Sequence, residues 1–198
     1  MTDLQSWVAP TYRGLADLLD EAPAEAWDAP SLCEEWRVRH VIAHVTMPVR
    51  MDAAQFGAEM AAARGDFTVL SNTVAARDAS LPVGELLEQL RSPGLHAWEP
   101  PGGGTAGALN HSVIHSLDVT IALDRVPVAP AEALTTVLDQ LAGANGAIFG
   151  LDLTDVRLEA TDAAWTFGSG SLFRADAGSL VALLAGRTLP DGRSLPRA

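Results

Sequence analysis

Apolar residues recur every three or four positions along much of the first 150 residues of this chain, and after Gly150 the pattern shortens to strand-like segments. That change of rhythm constrains the fold more than any other feature. In "LQSWVAPTYRGLADLLD", Leu4, Trp7, Val8, Tyr12, Leu15, Leu18 and Leu19 form the apolar stripe of an amphipathic helix, with Pro10 unsettling its first turns. "APAEAWDAPSLCEEW" reads as a connecting loop, and "VRHVIAHVTMPVRMDAAQFGAEMAAA" as a second long helix kinked at Pro48. "VGELLEQLRS" gives a shorter helix that stops at Pro93, and "WEPPGGGTAG" is a Pro/Gly loop. A helix from about Ala106 to Leu123 follows, then another over "PAEALTTVLDQLAGANG", with Pro130 near its first turn and Gly143 near its end.

The last third reads differently. "VRLEA", "AWTFG" and "SLFRA" are short strands whose separators, "TDA" and "GSGS", suit hairpin turns. "DAGSLVALLAGR" then gives a helix capped by Asp176 and Gly186. The expected architecture is mainly α: a bundle of four or five helices over residues 1–150 and a small α/β subdomain over 151–198. No internal repeat stands out.

Composition narrows the function classes. At 198 residues and 48% hydrophobic content the chain can bury a full core, so disorder is excluded for most of it. A formal charge of -12 argues against phosphate backbones or anionic membranes as partners. No run approaches the roughly eighteen apolar residues of a membrane span, and the first residues do not read as a secretion signal. Cys33 is the single cysteine, which rules out an internal disulfide. A cytoplasmic protein is the expectation, and abundant Ala, Gly, Asp and Arg with no Lys suggests a high-GC bacterium.

Five histidines remain to be placed, and four of them fall into two pairs at i and i+4, His40/His44 and His111/His115. Such residues lie about 40° apart on a helix, close enough for two imidazoles to share one divalent cation. A site needs a third ligand, which a facing helix of a bundle can supply. His44, set among Val41, Ile42 and Val45, projects towards a core-facing surface. Spacing alone leaves two readings open: a transition-metal site, or packed and hydrogen-bonded histidines.

The segment "APSLCEEWRVRHVIAHV" resembles the N-terminal signature of the mycothiol-dependent maleylpyruvate isomerase family, within the DinB-like superfamily of metal-binding four-helix bundles. "HSVIHSLDVTIALDR" resembles the second signature of that family, and "VRLEATDAAWTFGSGS" with "ALLAGR" its small C-terminal α/β portion. The resemblance implies a DinB-like bundle with His44, His111 and His115 as metal ligands. His111 stands where the isomerases proper carry Glu and other DinB-like proteins carry His. His40 stands where Asp is common and is assigned to the second shell or pocket, not to the ligand set.

The implied chemistry is that of a divalent metal, zinc ahead of nickel or iron, with an open position for mycothiol or a similar thiol whose thiolate attacks a small electrophile. Such an enzyme is an actinobacterial, cytoplasmic isomerase or transferase. Asp118, three residues after His115, could orient a ligand imidazole, although solvated surface or helix packing is the commoner role for such an acid. Arg187 and Arg125 are candidates for binding a carboxylate substrate. Cys33 is assigned to packing, since no base can be named for it, and "PPGGGT" to a flexible pocket rim. Trp7, Trp27, Trp36 and Trp165 read as core or interface aromatics. Two alternatives use the same residues: a metal-assisted hydrolase acting through bound water, and a non-catalytic binder whose C-terminal part, reminiscent of a sterol-carrier domain, lines an apolar ligand pocket. Substrate and oligomeric state are not legible.

Overall fold

The 3-10 turn Leu4–Trp7, opened by an Asp3 carboxylate that accepts the Gln5 N–H, feeds α1 (Val8–Asp20). Pro10 sits in the first turn of α1, where a backbone N–H has no helical partner to lose, so the proline is tolerated. The structure, a computed structural model, describes residues 3–198. After the Trp27-burying turn Ala24–Asp28, the chain forms α2 (Val38–Val45), α3 (Met47–Arg50), α4 (Ala53–Ala62), α5 (Phe67–Asp78), α6 (Val83–Leu90) and α7 (Pro93–His96). α8 (Gly104–Thr120) and α9 (Ala131–Gly143) complete the helical part.

Two sequence expectations fail here. The long helix expected over 38–63 is three helices, because Pro48 cannot donate to the His44 carbonyl and α2 stops at Thr46 instead of bending. A second break at Met51 is followed by Asp52, which caps α4 by accepting the Gln55 N–H while the Gln55 side chain accepts the Asp52 N–H. α5 was not read from the sequence at all. Its stripe is broken by polar residues, Ser71 and Asp78 among those it buries, and its start depends on Asp66 accepting from the Thr68 and Val69 N–H groups.

The strands β1 (Val156–Ala160), β2 (Thr166–Gly168) and β3 (Ser171–Ala175) lie where expected, but their pairing differs. β1 is central, antiparallel to β2 and parallel to β3. The link from β2 to β3 is therefore not a hairpin; it crosses the start of β1. Gly168 and Gly170 make that crossing possible: both have positive φ, and a Cβ on either would overlap the carbonyl of Val156 or Asp155. α10 (Ala177–Leu184) is capped by Asp176 and followed by Gly186 at φ 76°, as its sequence predicts.

Burial falls into two main clusters. One joins α1, α2 and α6 through Tyr12, Leu15, Ile42, Leu86 and Leu90. The other joins α8 and α9 to the sheet and α10 through Leu117, Leu138, Leu158 and Leu180, so the C-terminal segment shares its apolar core with the helices before it. Trp165, at the start of β2, is anchored to α9 by donating its indole N–H to Asp139 at 2.8 Å. α8 contributes to both clusters and packs against α1, α2, α9 and α10. Polar side chains on its inward face are thereby surrounded by protein. None of the helices is long and apolar enough to cross a membrane, among the described residues.

Candidate metal centre

His111 and His115 sit one turn apart in the middle of α8, and α2 crosses opposite them carrying His44. One ligand nitrogen from each ring lies within 4.8 Å of the other two. His44 Nε2 and His111 Nε2 are 3.3 Å apart, and the ring centroids of the three are 4.8 to 5.3 Å from one another.

The outward nitrogens of two rings are held. His115 Nδ1 donates to Asp118 Oδ2 at 2.9 Å, and His111 Nδ1 lies 2.9 Å from the Tyr12 hydroxyl. Those partners leave Nε2 of each ring facing the cluster. His44 Nδ1 is buried without a hydrogen-bond partner, and the polar contact of this ring is Nε2 against His111 Nε2 inside the cluster. Burial, then the charges of His115 and Arg187, pushes His44 down to about 3, and burial likewise holds His111 well below its ordinary value. Both are neutral at pH 7, the form that binds a metal. Three imidazoles converging on one point fit a divalent transition-metal ion and leave a tetrahedral ion one open position.

Behind His115 lies a buried chain of polar groups. Asp118 is fully buried and is not the solvated acid that is the commoner case at such a position. Its carboxylate accepts from His115, from Arg187 Nε at 2.8 Å and Nη2 at 3.0 Å, and from the Cys33 thiol at 3.0 Å. Burial opposes the carboxylate's charge, but His115 and Arg187 outweigh it and hold Asp118 well below the usual carboxylate range. Burial followed by the nearby Asp118 charge pushes the Cys33 thiol up, so it stays protonated and donates. The Leu32 N–H donates to the Asp118 carbonyl, which fastens the Cys33 loop to α8.

Two more expected site residues are placed otherwise than the sequence suggests. Arg187 is spent on Asp118 rather than free to bind a substrate carboxylate, although its edge reaches the cavity beside His115. His40 is not brought to the cluster. As the third residue of α2 its ring accepts the Arg37 N–H at 3.2 Å and closes the start of that helix, partly exposed.

The cluster separates two cavities, the second more polar than the first. On the His44/His111 side, about 360 Å³ is lined by Met47, Phe56, Phe67, Trp98, Pro100 and Pro101 among others. On the His44/His115 side, about 350 Å³ is lined by Cys33, Glu34, Ser71, Asn72 and Arg187 with Trp36 and Phe67. Pro100 and Pro101 bring the expected pocket rim to the apolar side. Trp36 stands 5.1 Å from the His44 ring and donates to Asn72. Trp98, 5.4 Å from His111, and Tyr12 were not singled out as site residues by sequence. Tyr12 lies on the apolar stripe of α1, and that spacing alone does not distinguish a hydroxyl that reaches a ligand from one that packs.

Comparison with known proteins bears on the fold. Residues 8–98 match the mycothiol maleylpyruvate isomerase N-terminal domain, a span that includes His44 but ends before α8. A histidine-to-alanine variant of mycothiol-dependent maleylpyruvate isomerase has a similar crystal structure, with a TM-score of 0.56, 16% identity, and 98% of this chain and 95% of that chain covered. At that identity the likeness is one of fold, mainly α with a small α/β portion. No curated protein sequence matches the chain. Residues 8–98, a little under half of the chain, are thus similar to the mycothiol maleylpyruvate isomerase N-terminal domain.

Proposed function

We propose that this protein is a metal-dependent enzyme that joins a low-molecular-weight thiol, mycothiol or a close relative, to a small electrophile in an isomerase or transferase reaction. The observation that carries the reading is the convergence of His44, His111 and His115 within 4.8 Å, at the boundary of a polar and an apolar cavity. A zinc ion bound by the three imidazoles supplies uncompensated positive charge that favours thiolate over thiol near neutral pH.

The residues of the chain do the rest. Asp118 fixes the tautomer of His115, and Arg187 keeps Asp118 ionised and in place. With Nε2 of His111 turned to the metal, its Nδ1–H would donate a hydrogen bond to the Tyr12 hydroxyl, which sets the plane of that ring. The polar cavity, with Asn72, Ser71 and Arg187 on its wall, suits the body of a polar thiol. The apolar cavity on the other side of His44 excludes water from the electrophile.

The test is titration of mycothiol into cobalt-substituted protein. A change in the cobalt absorption bands that saturates with thiol, and that His44→Ala abolishes, is the expected result. An unchanged spectrum at millimolar thiol would exclude the thiol reading and leave a hydrolase that uses bound water, or a binder.

A further inference from the structure

No arginine or lysine lines the apolar cavity among the described residues. Its nitrogen-bearing side chains are His44 and His111, which face the proposed metal, and Trp98. It continues past Met47, Phe56 and Trp98 into a further space of about 320 Å³, where the only charged side chain among the described lining residues is Asp52, an acid. The arginines on neighbouring elements are engaged elsewhere. Arg50, which ends α3, gives its guanidinium to Asp78, Thr46, Gln89 and the Ala43 carbonyl. Arg187 is paired with Asp118 and borders the opposite cavity.

A carboxylate placed against this wall would lose hydration with no cationic side chain in exchange, and Asp52 would repel it. Maleylpyruvate, which names the matched family, bears carboxylates of this kind. We infer that the electrophile of this protein carries an uncharged apolar group, an aromatic ring or short alkyl chain, on the side remote from its reacting carbon, and that Phe56, Trp98 and Pro101 determine this preference. The volume stands near the small end of the ~300–1,000 Å³ of ligand pockets, which fits one ring system and little more. The inference rests on the proposed function for the reacting end of the molecule, and on the pocket wall alone for the remote end.

The test is calorimetric binding of benzylideneacetone, a neutral aromatic enone, against its ring 4-carboxylate, on the full chain as purified and again after dialysis against a chelator. The second titration removes attraction by any ion at the histidines. The neutral compound is expected to bind at least about tenfold tighter in both, since no cationic side chain offsets the lost hydration of the carboxylate. Phe56→Arg, at a partly exposed position of α4, is expected to narrow or invert the ratio. Pro101→Arg, on the exposed rim, serves the same purpose if the first variant folds poorly. Equal or tighter binding of the carboxylate after chelation, no binding of either compound, or a ratio unmoved by both arginines would overturn the inference. Because the readout is binding, failure of the thiol chemistry leaves this result intact, and a wrong pocket assignment leaves the cobalt titration intact.

Discussion

The two histidine pairs share one spacing and meet different fates. In α8 both members reach the cluster, while in α2 only His44 does. The difference is position within the helix. His111 and His115 lie well inside a 17-residue helix whose inward face is covered by four others, so both rings of that face turn towards α2. α2 has eight residues, and its first turn is open to solvent on the side of His40, where the unsatisfied Arg37 N–H captures the ring. An i,i+4 pair therefore marks a shared helix face, and only the neighbours of that face decide whether both members are used.

Removing a member of the converging set sharpens that contrast most. His44→Ala, His111→Ala and His115→Ala are each expected to abolish stoichiometric metal, measured by elemental analysis of protein purified without a histidine tag. Stoichiometric metal in all three variants would mean that the rings are packed histidines.

The next effect is on stability. Asp118→Ala leaves the Arg187 guanidinium buried without its partner and is expected to cost about 3–5 kcal/mol in urea unfolding. Asp118→Asn keeps the shape but loses the charge that orients His115, and should weaken metal affinity roughly 10–100-fold. Wild-type metal affinity in a folded Asp118→Asn protein would detach this carboxylate from the site.

Acid gives a third, graded effect. His44 is pushed down to about 3 and His111 well below its ordinary value, from 6.5 in both cases. Between those values the unfolded chain binds protons that the folded protein does not. Stability of the metal-free protein is therefore complete above about pH 6.5 and is lost as pH falls towards 3, by up to about 2.7 kcal/mol per pH unit when both rings take part. Asp118, held low in the fold, adds to the loss only below about pH 4. Urea unfolding at pH 7, 6, 5 and 4 checks this, and the double variant His44→Gln, His111→Gln should flatten the slope. A slope of wild-type steepness in the double variant would place the titrating groups elsewhere.

What could be read from the sequence follows the range of the interaction. α1, α9 and α10 announce themselves through local stripes and caps, as in Asp176 and Gly186 around α10. The three strands were legible as segments, but the parallel pairing of β1 with β3 was not, because it depends on a crossing that only two glycines with positive φ permit. α5 escaped since its buried face mixes Ser71 and Asp78 with Leu70, Val74 and Ala75 and is defined by α2 packed against it. His44, His111 and His115 could be named together from spacing and family resemblance. The burial of Asp118, its Arg187 partner 69 residues away and the Tyr12 hydroxyl 99 residues from His111 are contacts of the folded chain and leave no local trace.

His40→Ala is the smallest expected effect and the most direct probe of the contrast between the pairs. The ring accepts one backbone N–H at the mouth of α2 and is partly exposed, so its loss removes a cap contact and no core packing. A cost of roughly 1 kcal/mol or less follows from helix-cap substitutions of this kind. Bound metal should stay stoichiometric, because the fraying of one N-terminal turn does not reach His44, which lies one turn further along and is buried against Trp36, His111 and His115. If His40→Ala instead strips the metal as completely as His44→Ala does, the two helices are equivalent after all, and the ring that points at α8 in solution is the one placed here at the helix mouth.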